Sequence, residues 1–269
     1  MIDTILTDII DRQSTSNRVG CFLSAGADSL SLAFSAHRLD KKLSCYSFYV
    51  DGKETSDSIG ARIAAEHFGW DFTAIDVPVD NLKEDFFTLV NNYHCIKKTQ
   101  VECTFPFLHM MPYIQEDEVL SGVAADGWWG SSKKCHMHFS DTKELFDGFR
   151  NKYFASDNPA GVRQLEQLTE ERGIKLIAPY LEDKMRDWAM QYDHKYMCKK
   201  KPLYDTFPEF RELKMRGHEN LQLIAGIPDY FENLLQDPEI NPYRRTRIMD
   251  VVRDWKDSAG QNDLIEFIT

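Results

Sequence analysis

The sequence lacks any Cys-x-x-Cys pair, any excess of positive charge, and any apolar run of about 18 residues, the length that a membrane span requires. Its six cysteines are scattered over 269 residues, which excludes a disulfide framework and a zinc ribbon and suits a reducing compartment. Residues 1–13 carry three aspartates where a secretion signal needs positive charge. We therefore expect a cytoplasmic protein with no membrane contact.

The charge balance is acidic, with 32 basic residues against 43 acidic residues and a net charge of −11. This excludes a uniformly basic coat for nucleic acid and leaves open only a local basic channel. Neither the GxxxxGK[ST] phosphate loop nor the GxGxxG dinucleotide fingerprint occurs. Hydrophobic residues make up 42% of the chain, which is typical of a folded globular protein.

Apolar periodicity predicts strands that alternate with helices, and this order favours a parallel sheet covered on both faces. The predicted strands are residues 19–23, 43–50, 71–77 and 117–120, with a further short apolar segment at 174–178. The predicted helices are about 2–10, 30–36, 57–69, 82–95 and 106–115, and the chain beyond residue 132 is expected to be mostly helical.

Two of the predicted strands run directly into turns of small residues, at residues 24–29 and 121–127. Such a turn lets backbone N–H groups converge on an anion at a helix N-terminus. Asp28 in the first turn is the type of ligand that Mg²⁺ takes when it is bound to a phosphate. An ordinary strand–turn–helix junction with a polar cap is the alternative interpretation.

The first turn, Ser-Ala-Gly-Ala-Asp-Ser, resembles the SGGxDS pyrophosphate loop of the N-type ATP pyrophosphatases. Its context resembles the synthetase domain of asparagine synthetase and β-lactam synthetase. Residues 119–130 (VLSGVAADGWWG) are similar to the family's LSGEGADELFGG, and residues 173–190 are similar to its G-x-E-x-R-V-P-F-L-D segment. Residues 200–204 (KKPLY) fall where the family has K-x-x-L-R, and the similar blocks keep the family's order.

The resemblance implies a five-stranded parallel sheet of order 3-2-1-4-5 with a helical C-terminal extension. Three parts are expected: an N-terminal helix (1–17), a synthetase-like domain (18–215) and the extension (216–269). The implied chemistry is ATP-dependent: a carboxylate is adenylated with release of pyrophosphate, and an amine or ammonia then forms an amide.

The resemblance also implies roles for individual residues. The pyrophosphate loop would consist of Ser24, Ala25, Gly26, Asp28 and Ser29. Asp28 and Asp126 would bind Mg²⁺, and Lys200, or Lys201 beside it, would stabilise charge at the α-phosphate. The adenosine would contact Phe22, Val50, Ser121 and Gly122.

Several residues depart from the family's pattern. Ala25 replaces a glycine, and its methyl group is tolerable only if φ stays negative. Val123 stands where asparagine synthetase has a glutamate beside its substrate amine, so aspartate is not assured as the substrate. With too few residues before Val19 for a glutaminase domain, nitrogen is expected from ammonia, a substrate amine or a partner protein.

The sequence leaves two other functions open. One is a nucleotide- or tRNA-modifying enzyme of the same superfamily, for which the basic cluster Arg244, Arg245 and Arg247 is the supporting feature. The other is a nucleotide-binding protein without catalysis, which the replacements at Ala25 and Val123 would favour.

Overall fold

The computed structural model describes residues 1–155, 161–213 and 225–259, with side chains to residue 255. Its centre is a five-stranded sheet in the order β3-β2-β1-β4-β5, with all neighbouring strands parallel. The strands are β1 (Arg18–Phe22), β2 (Lys42–Val50), β3 (Asp71–Val77), β4 (Glu118–Leu120) and β5 (Lys175–Ile177). The expected fold class and strand order are therefore confirmed.

Helices cover both faces of the sheet and continue past its last strand. The long helices are α1 (Ile2–Gln13), α2 (Ala27–His37), α3 (Ser56–Phe68), α4 (Leu82–Asn91), α5 (Lys98–Met110), α8 (Lys143–Ala155), α9 (Val162–Glu170), α14 (Ile227–Leu234) and α15 (Ile248–Ala259). The short helices are α6 (Ala125–Trp129), α7 (Lys133–His138), α10 (Asp183–Ala189), α11 (His194–Met197), α12 (Lys201–Thr206) and α13 (Glu209–Glu212). No helix in the described residues is both long and apolar enough to cross a bilayer.

Successive residues of the central strands face two separate hydrophobic clusters, as the pleat requires. Cys21 and Cys45 lie in the cluster under α1, α2 and α10, whereas Phe22 and Tyr46 lie in the cluster under α4, α5 and α14. A strand buried on both faces has no polar side, which explains the continuous apolar runs in the sequence.

Helix α3 shows how local sequence sets helix ends. Thr55 and Ser58 form a reciprocal capping box at its start, and Gly69 ends it with a φ of 71°. A left-handed residue at this place suits glycine because glycine has no Cβ to clash. The expected helix at 57–69 therefore matches closely.

Two helix predictions were wrong in their bounds. Helix α5 begins at Lys98 and passes through Pro106, where the sequence predicted a start, and it ends at Met110 in a 3₁₀ turn (Met111–Tyr113). Proline removes one N–H from the helix ladder, but Phe105 and Pro106 are buried, so tertiary packing offsets the lost hydrogen bond and the helix continues past the proline. Helix α4 ends at Asn91, short of the expected residue 95.

Candidate active site

The turn after β1 is organised by its own serines. The Ser24 backbone N–H donates to Ser29 Oγ at 3.0 Å, and the Gly26 N–H donates to Ser24 Oγ at 3.1 Å. Ser29 Oγ in turn donates to the Ser24 carbonyl at 3.0 Å. Ala25 has a negative φ, so the methyl group that replaces the family's glycine fits without strain.

The turn after β4 lies directly against the first turn. A Cβ added to Gly122 would meet Cβ of Asp28 at 3.3 Å and the backbone nitrogen of Ser29 at 3.4 Å. The contact follows from the sheet, because β1 and β4 are neighbours and their carboxyl ends share one edge. The two turns therefore form opposite sides of one crevice.

Asp28 is held by two donors that come from distant parts of the chain. Trp129 Nε1 donates to Asp28 Oδ1 at 2.8 Å, and Lys200 Nζ donates to Asp28 Oδ2 at 2.6 Å. Lys200 Nζ also lies 3.0 Å from Oδ1 of Asp126, on the second turn. The lysine side chain is only 5% exposed, so its charge is compensated by these two carboxylates rather than by water.

The backbone at this lysine is unusual. Lys199 and Lys200 have φ values of 55° and 57°, in the left-handed region where a side chain costs about 1–2 kcal/mol per residue. Lys201 then starts α12, with Pro202 in its first turn. Such strain is typical of functional sites, where surrounding contacts hold a side chain in one place.

The electrostatics keep Lys200 charged. Burial by itself lowers the pKa of Lys200, but the charges of Asp28 and Asp126 and the hydrogen bonds to them outweigh burial and raise that pKa. A cation fixed at the meeting point of two turns stabilises negative charge that enters the crevice.

A cavity of about 260 Å³ opens beside the two turns. One end is aromatic, since Phe22, Tyr46, Phe48 and Phe107 line it and the rings of Phe22 and Phe107 meet edge to face at 4.8 Å. The Tyr46 hydroxyl donates to Glu116 Oε2 at 2.7 Å, which fixes the ring in the wall. Aromatic side chains in the wall of a pocket provide apolar surface on which the ring system of a ligand can pack.

Most of the site residues expected from the sequence come together in this cavity. Those that line it are Phe22, Ser24, Asp28, Ser29, Ser121, Gly122 and Asp126. Ala25 and Gly26 belong to the first turn, and Gly26 is the N-cap residue of α2. Val50 is buried at the end of β2 and is not among the lining residues.

The two expected lysines have different places. Lys200 lies between Asp28 and Asp126, whereas Lys201 points outward, is 55% exposed and pairs with Asp205 on the next turn of α12. The structure thus brings Lys200 to the crevice and leaves Lys201 on the surface.

Sequence reasoning missed Tyr46, Phe48 and Phe107 in the aromatic wall, and it missed Trp129 as a donor to Asp28. Tyr46 and Phe48 are two positions apart on a strand and so share one face, a signal that could have been used. Trp129 gave no comparable signal, because nothing local shows that its N–H meets a residue 101 positions away.

The acidic pair fits a divalent cation. The carboxylates of Asp28 and Asp126 already converge on one positive nitrogen, so the pair has the charge and the oxygen donors that Mg²⁺ prefers. The described part of the chain contains no group of three metal-ligating side chains. When Mg²⁺ has few protein ligands, water and substrate phosphates usually complete its coordination sphere. A site with two carboxylates is consistent with this kind of coordination.

Two arginines of the basic cluster in the C-terminal region form ion pairs within the chain. Arg245 pairs with Asp254, and Arg247 pairs with Asp250, while both arginine side chains remain partly exposed.

Comparison with known protein families identifies the family of this chain. The family model for asparagine synthase matches residues 1–216, and the chain belongs to this family. Membership supports an ATP-utilising synthetase of the PP-loop class. No curated protein matches the chain.

Two solved structures are similar to the chain at low identity. NMN synthetase from Francisella tularensis has 14% identity and a TM-score of 0.33, over 74% of this chain and 92% of that chain. Glutamine-dependent NAD⁺ synthetase from Acinetobacter baumannii, in complex with ADP, has 15% identity and a TM-score of 0.32, over 80% of this chain and 45% of that chain.

Proposed function

We propose that this protein is an ATP-dependent carbon–nitrogen ligase that forms an amide through an acyl-adenylate. A carboxylate oxygen attacks the α-phosphorus of ATP, the bond to the bridging oxygen breaks, and pyrophosphate leaves with the bonding electrons. The nitrogen of an amine or ammonia then attacks the acyl carbon, loses a proton and displaces AMP. The observation that carries the proposal is the position of Lys200 between Asp28 and Asp126, where the two turns meet.

The first turn binds the leaving pyrophosphate in this proposal. It opens into α2, an 11-residue helix whose N-terminal dipole and free N–H groups favour an anion. The hydroxyl groups of Ser24 and Ser29 lie 3.0 Å apart and bond within the turn, and they become donors to phosphate oxygens when these arrive.

Lys200 and the two aspartates stabilise the charges on the phosphate groups in this proposal. Lys200 stabilises the negative charge that builds up at the α-phosphate, an effect typically worth several kcal/mol in a water-excluded site. Bound Mg²⁺ would be held by Asp28 and Asp126 and would neutralise phosphate charge. The Trp129 N–H fixes one oxygen of Asp28, so that the carboxylate keeps a single orientation.

The aromatic end of the cavity binds the adenosine in this proposal. Phe22 from β1 and Phe107 from α5 form the walls, and Ser121 and Gly122 lie at its edge. The small residues let the nucleotide approach the backbone closely.

The partners follow from the reaction. The substrates are a small carboxylate and an amine or ammonia, and the nitrogen comes from free ammonia, the amine itself or a separate amine-donating protein. The reaction needs no nucleic acid and no membrane.

The first experiment measures pyrophosphate release from ATP and Mg²⁺ with pooled carboxylic acids and amines. We expect release that depends on a carboxylate and that falls about 100-fold or more in Asp28→Asn. Asp187→Asn, an exposed aspartate on α10, is the matched control and should keep full activity.

Two results would contradict the proposal. Release of ADP and inorganic phosphate would show cleavage at a different phosphorus. Binding of ATP without pyrophosphate release in any pool would indicate a nucleotide-binding protein without this catalysis.

A further inference from the structure

Glu102 is a carboxylate in the wall of the cavity that the mechanism above does not use. It belongs to α5 and lines the cavity, and its side chain is only 6% exposed. Its Oε1 is buried and has no hydrogen-bond partner in the described part of the chain. Most buried polar atoms are hydrogen-bonded, because the loss of water is otherwise uncompensated. An oxygen without a partner at a cavity therefore indicates a donor that a ligand supplies.

The ion pair with Lys98 compensates Glu102 only in part. Lys98 Nζ lies 3.5 Å from Glu102 Oε1, beyond the usual length of a hydrogen bond, whereas it donates to Glu232 Oε1 at 2.9 Å. The Lys98 side chain is also 45% exposed, so water and Glu232 compete with Glu102 for its charge. Burial outweighs this ion pair and raises the pKa of Glu102, and a second cation beside the carboxylate would offset the cost of burial.

The other two acidic side chains that line the cavity have closer partners. Asp28 accepts one hydrogen bond on each oxygen, from Trp129 and from Lys200. Asp126 Oδ1 lies 3.0 Å from Lys200 Nζ, and its side chain is 49% exposed, so water reaches it as well. None of the described residues that line the cavity is basic. Glu102 is therefore the lining carboxylate with the most to gain from a cationic group of a ligand.

The surroundings of Glu102 indicate the kind of cation. A divalent metal ion takes several oxygen ligands, and Glu102 belongs to no group of three metal-ligating side chains in the described residues. Burial raises the pKa of the neighbouring Cys103 thiol to about 12, so the thiol stays neutral. Val123 and Leu165 line the same cavity and are apolar. One carboxylate in a partly apolar cavity suits an ammonium group at the end of a carbon chain.

We propose that Glu102 binds the protonated primary amino group of a substrate. The inference rests on the proposed function, because it assigns a binding residue to a substrate of the same reaction. The ammonium group donates a hydrogen bond to the carboxylate of Glu102, and the carbon chain packs on apolar side chains of the cavity. The amino group belongs either to the nitrogen donor or to the acid that is activated, and both sources share this chemistry.

The first test measures binding without turnover. Ligand-observed NMR titrations compare butylammonium, butan-1-ol and butyrate, which are similar in size and carry a positive charge, no charge and a negative charge. We expect the Kd of butylammonium to be lower than that of the other two by about tenfold or more, because a hydrogen bond to a charged group is worth at least this factor.

Variants of the two carboxylates that share Lys98 provide the matched comparison. Glu102→Gln keeps the shape of the side chain and should raise the Kd of butylammonium about tenfold or more. Glu232→Gln changes a 63% exposed residue that is not among those lining the cavity, and it should alter this Kd less than threefold. Circular dichroism establishes that the variants are folded.

Lys98→Met separates ligand binding from a structural role. It removes the cation that competes for Glu102, so the Kd of butylammonium should stay within threefold or fall. If Glu102 acted only through its ion pair with Lys98, Lys98→Met and Glu102→Gln would weaken binding equally, and this result would overturn the inference.

A matched pair of probes distinguishes the two sources of the amino group. Hexylammonium and 6-aminohexanoate have the same chain length, but only the second carries a carboxylate. Tighter binding of 6-aminohexanoate assigns the amino group to the activated acid, whereas tighter binding of hexylammonium assigns it to the nitrogen donor. In either case Glu102→Gln should weaken the tighter ligand about tenfold or more.

The outcomes keep this inference apart from the proposed function. Equal binding of butylammonium, butan-1-ol and butyrate, binding of none of them, or a preference for butylammonium that survives Glu102→Gln overturns the inference and leaves adenylation standing. Failure of pyrophosphate release contradicts adenylation, while the preference for the cation is measured on the protein without any reaction.

Discussion

The side-chain nitrogen of Lys200 lies 2.6 Å from Oδ2 of Asp28, although the two residues are 172 positions apart. The contact joins the turn after the first strand to a strained segment just before α12. Oδ1 of Asp126 lies 3.0 Å from the same nitrogen. One buried cation thus connects three parts of the chain beside the cavity, two of whose lining residues are Asp28 and Asp126.

Replacement of Lys200 by methionine should abolish most activity. Lys200→Met removes the cation that stabilises phosphate charge, so we expect pyrophosphate release to fall about 100-fold or more. It also leaves a buried carboxylate without its partner, which should cost about 3–5 kcal/mol of unfolding free energy. Lys201→Met, one position later and exposed, should change release less than threefold, and a larger loss there than at Lys200 would assign the role to Lys201.

A double variant separates the two effects at this position. Lys200→Met combined with Asp28→Asn removes both charges of the buried pair, so more than half of the lost stability should return while activity stays low. Urea denaturation gives the unfolding free energy and the pyrophosphate assay gives the activity, both measured on the same samples. Recovery of activity together with stability would show that the lysine is structural only.

Trp129→Phe should impair the use of magnesium-bound ATP. The change keeps an aromatic ring but removes the N–H that donates to Asp28 Oδ1. A hydrogen bond to a charged group is worth about 1.5–3 kcal/mol, so we expect kcat/KM for ATP to fall about tenfold or more.

The neighbouring tryptophan is the matched control. Trp128 donates to the Tyr180 carbonyl at 2.6 Å and stacks on Phe154, with 3.9 Å between ring centroids. Trp128→Phe should therefore lower stability by about 1–2 kcal/mol and leave kcat/KM for ATP within threefold. Equal losses of activity in the two variants would show that Trp129 does not act through Asp28.

Gly127→Ala should destabilise the wall of the cavity. A Cβ there would lie 2.4 Å from the Tyr153 ring and 2.9 Å from Phe154, so the rings must move. Overpacking of this kind costs about 1–3 kcal/mol. Gly148→Ala, inside α8 with nothing within 4 Å of the added Cβ, should instead stabilise the protein by about 0.5–1 kcal/mol. Thermal unfolding of the two variants should therefore shift in opposite directions.

Glu118 should make stability depend on acid pH. Its buried carboxylate accepts hydrogen bonds from Ser14 Oγ at 2.6 Å, from the Thr15 N–H at 3.0 Å and from the Ser16 N–H at 3.3 Å. Burial raises the pKa of Glu118, but these hydrogen bonds outweigh it and hold that pKa below its usual value of 4.5. The stabilisation is therefore present above about pH 4.5 and is lost as the pH falls through the lowered pKa.

The corresponding variant is Glu118→Gln. We expect it to be less stable than the wild type by about 1–3 kcal/mol at pH 7, and the difference should shrink below pH 4.5 as Glu118 is protonated. Glu66→Gln, an exposed glutamate on α3, should change stability by less than about 0.5 kcal/mol at every pH. A difference in unfolding free energy between the wild type and Glu118→Gln that does not vary with pH would contradict the role of the Glu118 carboxylate.

Much of the fold could be predicted because its signals are local. The apolar runs at β1, β2 and β3 predicted these strands to within one residue at each end, and Gly69 predicted the end of α3. Helix α5 was misplaced because Pro106 signals a helix start, and only the packing around it shows that the helix began eight residues earlier.

The domain bounds at 17 and 215 and the roles of the individual site residues stay predictions. Part of the proposed C-terminal extension, at residues 216–224 and 260–269, lies outside the described residues. Within the described part, α14 and α15 pack on the same hydrophobic cluster as α4 and α5.

The sequence by itself determined the parallel α/β architecture and the two small-residue turns, because strand and turn formation depend on neighbouring residues. Only the tertiary structure decided which of three consecutive lysines reaches the crevice, since Lys199, Lys200 and Lys201 have the same chemistry. In the folded protein Lys200 Nζ lies against Asp28, whereas Lys201 is exposed. The contact between Trp129 and Asp28 was likewise decided by the tertiary structure, because contacts between distant segments form only when the chain has folded.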